Sequence, residues 1–312
     1  MAGGSSGIGK LANRVHTCEC LKFLKRLPDA SIDFCMTSPP YWKLRDYGTP
    51  GQIGQEKTPE EYIERLVTIF RELKRVLKDT GSFYLNLGDT YIGPDTCRAK
   101  SWKRSKQLAL IPSRVAIALQ DDGWILRNDI CWIKPNGLPS SVKDRLTCRW
   151  EHIFHFVKQK KYYYHLDAIR EPYKECSIKR VKNRMRLQKR TGKPMTEKSK
   201  YFPEDKGKYG VSGFLTGRSL TQFLESKGKN PGDILEIAIK PFSCPHFAIY
   251  PEELCISPIK SSCPPKGIVL DMFAGSGTTM VVAKKLGRSF IGCDLNHDYV
   301  RISRIRLKEK KI

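Results

Sequence analysis

Acidic residues are in short supply in this chain. Only 32 Asp and Glu stand against 56 Lys and Arg, leaving a formal net charge of +24 over 312 residues. So strong an excess points to a polyanionic partner, nucleic acid before any other. Long apolar runs are missing too. None approaches the roughly 20 residues needed to span a bilayer, and no leader pattern opens the chain, so a soluble, cytoplasmic protein is expected. Cysteine is plentiful, with eleven residues, yet no C-x-x-C pair occurs, and the nearest approach is Cys18-Glu19-Cys20. Cys35, Cys131 and Cys293 lie inside apolar runs, where cysteine acts as a small hydrophobe. Cys244-Pro245-His246 lacks a second ligand pair. Free thiols and no metal site are therefore expected.

One glycine signature fails for want of context. Gly4-Ser5-Ser6-Gly7-Ile8-Gly9-Lys10 imitates a phosphate loop, but only Met1-Ala2-Gly3 precedes it where a buried strand is required. Leu11 stands where a Ser or Thr would hold magnesium, and no Tyr-x-x-x-Lys pair exists for dehydrogenase chemistry. Residues 1–13 read as a flexible tail.

What is present is alternation. Leu21, Leu24 and Leu27 share one face of a short helix, and Ile32 to Met36 follows as an apolar strand. Thr58-Pro59-Glu60-Glu61 opens a long helix: Thr58 is a good N-cap, Pro59 suits the first turn, and the glutamates suit the positive end of the dipole. Its apolar positions, Tyr62, Leu66, Ile69, Phe70, Leu73 and Leu77, keep helical spacing, and the helix should stop near Gly81. Further strands are expected at 82–87, 124–134, 149–157, 234–237, 268–272 and 289–294, with helices at 112–120 and 278–286. Such alternation predicts an α/β fold with a mostly parallel sheet. Between about Tyr173 and Pro231 the pattern lapses. Lys179, Arg180, Lys182, Arg184, Arg186, Lys189 and Arg190 crowd a stretch with little apolar periodicity, and Tyr201, Phe202, Tyr209 and Phe214 follow among glycines. A basic segment with scattered aromatics suits phosphates and bases. The plan is a tail at 1–13, one half-domain at 14–172, an insert at 173–232 and a second half-domain at 233–312.

Two short segments carry chemistry. Towards the C-terminus, the strand ending in Asp271-Met272 runs into Phe273-Ala274-Gly275-Ser276-Gly277-Thr278, then a helix, then a strand ending in Asp294. Strand, glycine turn, helix and a second strand ending in an acid form a unit that can hold a nucleoside ribose. The turn has only two glycines, and an acid beside it would repel a pyrophosphate while suiting an ammonium. S-adenosylmethionine is therefore the better cofactor reading than NAD. Towards the N-terminus, Ser38-Pro39-Pro40-Tyr41 ends a strand. The Ser38 hydroxyl and the Pro39 carbonyl are placed to accept both hydrogens of an exocyclic amine, and proline fixes the backbone that presents them. Tyr41 offers a stacking face to a base taken out of the duplex.

Together with Arg45-Asp46-Tyr47-Gly48, Trp132-Ile133-Lys134-Pro135-Asn136, Asn230-Pro231-Gly232-Asp233 and His246-Phe247-Ala248, these segments resemble the amino-group DNA methyltransferases of restriction-modification systems. The order, catalytic motif before recognition region before cofactor motif, is that of the beta subgroup. The resemblance runs from about Val15 to Leu307. It implies a Rossmann-like, S-adenosylmethionine-dependent fold: a mixed seven-stranded sheet flanked by helices, with an inserted target-recognition region. It also implies direct methyl transfer to double-stranded DNA and a restriction endonuclease acting on the same site. By resemblance Ser38, Pro39, Pro40 and Tyr41 are catalytic. Asp271, Phe273, Gly275, Ser276, Gly277 and Thr278 hold the methionine end, Asp294 the ribose, and Phe247 lines the pocket. Glu19 stands where relatives carry an Asp that faces the cofactor adenine, and the seven basic residues from Lys179 to Arg190 contact DNA. Serine at the first catalytic position, with Tyr-Trp after the prolines, resembles enzymes acting on cytosine N4. Adenine-N6 transfer is the second reading, since adenine enzymes more often carry Asp or Asn there. Carbon-5 methylation needs a cysteine nucleophile directly after proline, and no Pro-Cys dipeptide exists. From other classes, an RNA methyltransferase and a DNA-binding protein with a vestigial cofactor fold are the alternatives.

Overall fold

The seven strands expected from apolar patterning, and one that patterning misses, form a single eight-stranded sheet in the computed structural model, which describes residues 8–93, 105–191, 228–240 and 250–308. In chain order the elements are β1 (Arg14–Thr17), α1 (Cys20–Leu24), β2 (Ile32–Thr37), α2 (Pro59–Val76), β3 (Leu77–Leu87), α3 (Ile111–Asp121), β4 (Ile125–Ile133) and β5 (Trp150–Val157). Then follow α4 (Glu175–Thr191), β6 (Ile234–Glu236), α5 (Glu253–Ser262), β7 (Ile268–Asp271), α6 (Thr278–Lys285), β8 (Ser289–Asp294) and α7 (His297–Lys308). The sheet order is β1-β8-β7-β2-β3-β5-β4-β6. Every pairing is parallel except the two made by β5, which runs against its neighbours β3 and β4.

The expected count of seven strands is thus corrected to eight. The additional strand, β1, buries only Val15 and so carries no apolar period. It exists because it pairs with β8 from Arg14↔Ile291 to Thr17↔Asp294. The segment expected as tail is also partly ordered. Ile8 and Leu11 pack on the core, and Asn13 bonds Phe290 through both its amide and its side chain. The long helix ends at Val76, five residues before Gly81, because Leu77 already pairs with Ile32 as the first residue of β3.

Strand β2 is buried along its whole length, as a central parallel strand covered on both faces must be. Side chains alternate across the sheet. Cys35 joins the core under α1, α2 and α3, whereas Phe34 and Met36 join the core under α5, α6 and α7. The result is a helix–sheet–helix sandwich whose strand ends present one edge to ligands. Among the described residues, no helix is long and apolar enough to cross a membrane.

Residues Leu166–Pro231 make a second compact unit. Its ends are joined by an antiparallel bridge between Glu171 and Lys229, with backbone bonds of 3.0 and 2.8 Å. The basic stretch inside it is not patternless, which corrects the reading above. It forms α4, where Ile178, Val181 and Met185 fall at helical spacing and are half-buried. Lys, Arg, Met and Gln are good helix formers, so propensity suffices where amphipathicity is weak. Tyr201, Phe202, Tyr209 and Phe214 lie outside the described residues.

Candidate active site

The C-terminal ends of β2, β4, β7 and β8 lie along one edge of the sheet, and the reversed β5 brings its N-terminal end to the same edge. Open α/β sheets bind ligands in the crevice outside such strand ends. Here the edge borders a cavity of about 380 Å³ lined by Glu19, Ser38, Pro39, Pro40, Tyr41, Phe273, Gly275, Ser276, Thr278 and Asp294. The volume lies within the range of roughly 300–1,000 Å³ typical of small-molecule sites. Two segments more than 200 residues apart in sequence thus meet because β2 and β7 are neighbours, with Phe34 beside Val269 and Cys35 beside Leu270.

One wall of the cavity is built from side-chain hydrogen bonds. Ser38 Oγ donates to Tyr41 Oη at 3.3 Å, and Tyr41 Oη donates to Glu151 Oε2 at 2.7 Å. Asn86 Nδ2 lies 2.7 Å from Tyr41 Oη, 3.0 Å from Glu151 Oε2 and 3.4 Å from Ser38 Oγ. Lys134 Nζ donates to Glu151 Oε1 and sits 4.4 Å from the centre of the Trp132 ring. Burial pushes the Tyr41 phenol well above its ordinary range, and the Glu151 charge adds to the effect. The loop itself is anchored from behind. Tyr62 Oη donates to the Pro40 carbonyl at 2.8 Å, and Trp42 Nε1 to the Glu56 carbonyl at 3.0 Å. Gly88 lies against the Tyr41 ring so closely that a Cβ there would come within 2.6 Å of Cε2.

The other wall is built from backbone conformation. Gly275 and Gly277 both have positive φ, +49° and +85°, a region glycine enters without steric cost. Gly275 N donates to Asp294 Oδ2 at 2.8 Å, and Asn296 N to Asp294 Oδ1 at 2.9 Å. Burial pushes the Asp294 carboxyl up to about 6, against the pull of those two amides, and the charge of Asp271 raises it further. Arg306 on α7 clamps the turn through the Ser276 carbonyl, Ser276 Oγ and Thr278 Oγ1 at 2.8, 2.9 and 3.1 Å. Glu19 caps α1, accepting from Leu21 N at 2.9 Å and Lys22 N at 2.8 Å. Burial alone would raise its carboxyl, but these amides outweigh burial and hold it below the ordinary value.

Two assigned residues are withdrawn from the cavity wall. Asp271 is only 1% exposed, and its carboxylate accepts from Thr37 Oγ1 at 2.6 Å, Thr279 Oγ1 at 2.7 Å, Phe273 N at 3.1 Å and Tyr250 Oη at 3.2 Å. Its carboxylate is occupied by protein donors and does not line the cavity. Through Thr37 it ties β2 to β7. Gly277 faces α7 instead: a Cβ there would lie 2.7 Å from Ser303 Cβ. Its role is close helix packing, not ligand approach.

Phe247 lies outside the described residues, as do the side chains of Arg184 and Lys189. Lys179, Arg180, Lys182, Arg186 and Arg190 are exposed along α4 in the second unit. Residue patterns missed Asn86, Glu151 and Arg306 altogether. Asn86 and Glu151 do carry a signal, since each is a polar residue in an otherwise apolar strand. Lys134 was visible only as part of a motif.

A family model described as DNA methylase matches residues 32–304. The Type II methyltransferase M.SfiI of Streptomyces fimbriatus is 35% identical to the chain, over 92% of this chain and 89% of that protein. Among solved structures, the PvuII DNA methyltransferase, titled cytosine-N4-specific, superposes with a TM-score of 0.63 at 20% identity, covering 96% of this chain and 87% of that one. The complex of M1.HpyAVI with S-adenosylmethionine superposes with a TM-score of 0.54 at 16% identity, covering 95% and 99%. The matched segment contains both halves of the cavity, and with it the conclusion: the chain belongs to the N6/N4 DNA methylase family.

Proposed function

We infer that this enzyme transfers a methyl group from S-adenosylmethionine to the N4 amine of cytosine in double-stranded DNA, at a specific site and with the target base turned out of the duplex. The observation that carries the reading is the state of the Ser38 hydroxyl. A serine hydroxyl has one donor and two acceptor positions. Its proton is directed to Tyr41, and Asn86 reaches one lone pair at 3.4 Å. Ser38 and Pro39 both line the cavity, so the remaining lone pair is left to accept one amino hydrogen, with the Pro39 carbonyl taking the other. By resemblance, serine here, followed by Tyr41 and Trp42, favours cytosine over adenine.

S-adenosylmethionine fits the second wall. Gly275 would let the ligand approach the backbone, Phe273, Ser276 and Thr278 would hold its methionine end, and Asp294 would accept from a ribose hydroxyl. Glu19 would face the adenine, and by resemblance Phe247 would line the pocket beside the glycine turn. When bound, the cofactor supplies an electrophilic methyl group on a good leaving group, so orientation supplies most of the acceleration. Ser38 and the Pro39 carbonyl aim the amine lone pair and stabilise the positive charge that develops on nitrogen. The basic residues of α4 hold DNA phosphates. M.SfiI is a Type II methyltransferase, which supports an endonuclease cutting the same site as the functional partner.

The test is to methylate plasmid DNA with labelled cofactor, digest it to nucleosides and identify the product by mass spectrometry. N4-methylcytosine is expected. N6-methyladenine would replace the cytosine assignment and leave the amine chemistry standing.

A further inference from the structure

Methylation of an amine leaves a proton to be removed, and the hydrogen bonds around Ser38 all run one way. Ser38 donates to Tyr41 and Tyr41 to Glu151, at 3.3 and 2.7 Å. Asn86 and Lys134 also donate to the Glu151 carboxylate. Glu151 is the sink of the network, and its side chain is only 16% exposed. The other two carboxylates lining the cavity are engaged elsewhere. Glu19 is bonded to the amides of α1, and Asp294 to those of Gly275 and Asn296. Among the described lining residues, Glu151 is the carboxylate that hydrogen bonds connect to Ser38.

We propose that Glu151 accepts the proton released by the methylated amine, through a relay formed by Ser38 and Tyr41. The inference rests on the amine-methylation reading above. As the nitrogen lone pair forms the N–CH3 bond, the methyl–sulfur bond breaks and its electrons stay on sulfur, leaving the amine cationic. One N–H bond then breaks and its electrons return to nitrogen. The proton passes to Ser38 Oγ, the former Ser38 proton to Tyr41 Oη, and the former Tyr41 proton to Glu151 Oε2. Ser38 and Tyr41 end as they began, and Glu151 ends neutral and is reset by proton loss to water. Lys134 pairs with the other Glu151 oxygen, Oε1, and leaves Oε2 to Tyr41. Asn86 fixes the geometry: it is 2% exposed and spans the Ser38, Tyr41 and Glu151 oxygens with one amide nitrogen.

The experiment uses the full chain, plasmid DNA and labelled cofactor. E151Q keeps the size of the side chain and an acceptor for Tyr41 but removes the charge. Its single-turnover methylation rate should fall by about 100-fold or more, while calorimetric affinity for S-adenosylmethionine and affinity for DNA stay within about twofold. Formate should restore part of the rate to E151A, which a purely structural role would not allow. An E151Q rate within about threefold of the parent overturns the proposal. So does cofactor or DNA binding that falls in step with the rate, or an E151A enzyme that formate leaves unchanged. The parent enzyme's product is identified in the same assay. A product that is not an amine-methylated base sinks the functional reading itself, whatever Glu151 does.

Discussion

The two walls of the cavity are made by different means. The Ser38 wall is a chain of side-chain hydrogen bonds contributed by the loop after β2, by β3 and β5, and by the residue after β4. The glycine-turn wall is set by backbone dihedrals, held from behind by Arg306 and by the packing of Gly277 on Ser303. A wall of side chains can be altered one atom at a time with the fold intact. A wall of backbone is less tolerant, since an atom added at Gly277 meets Ser303 of α7. Changes at the first wall should therefore appear in turnover, and changes at the second in stability and cofactor affinity.

The sharpest test is Ser38→Ala. Losing one preorganised group at a developing charge costs about 10²–10³ in kcat in other enzymes, and a similar fall is expected here in single-turnover assays. Cofactor affinity, read by calorimetry, should not move. Turnover near that of the parent would remove Ser38 from its assigned role.

Gly277→Ala is the counterpart on the other wall. The new methyl group would lie 2.7 Å from Ser303 Cβ at a residue with φ +85°. Strain and overpacking of this kind cost roughly 1–3 kcal/mol. Urea unfolding should show the loss, and cofactor binding should weaken with it. A variant of parental stability and lowered turnover would break the distinction between the walls.

Acid titration should pull the second wall in two directions. The folded Asp294 carboxyl is raised to about 6, chiefly by burial, against an unfolded value of about 4. A raised group stabilises the fold fully below the unfolded value, and that contribution is lost as pH rises through about 6. Cofactor affinity has the opposite sign, because ribose hydroxyls donate to the ionised form. It should weaken as pH falls through that same value. Asp294→Asn should flatten both profiles, measured by unfolding and calorimetry on either side of the transition.

The smallest effect per residue belongs to the second unit. Replacing exposed Lys179 and Arg180 together with Ala should weaken DNA binding and lower the slope of log affinity against log salt by about one to two. Methyl transfer at saturating DNA should be unchanged.

Local chain segments made much of this site legible. Ser38-Pro39-Pro40-Tyr41 and Phe273-Ala274-Gly275-Ser276-Gly277 each follow an apolar strand directly, so pattern and turn chemistry locate them without any knowledge of the fold. Asp294 is found the same way. Strand β1 was not legible, because one buried residue in four makes no period. Asp271 was placed by its position beside the turn, but burial on a central strand turned its carboxylate inward. Helix α4 was obscured by its charge.

The amino-acid sequence by itself determined the strand ends beside the two motifs and the glycine turn, because these follow from local sterics and side-chain chemistry. Tertiary structure alone decided which residues meet. Pairing of β2 with β7 joined the two walls through Thr37 and Asp271. Reversal of β5 carried Glu151, the second residue of its strand, to the edge where parallel strands present their last. Strand direction depends on long-range pairing, and no local pattern encodes it.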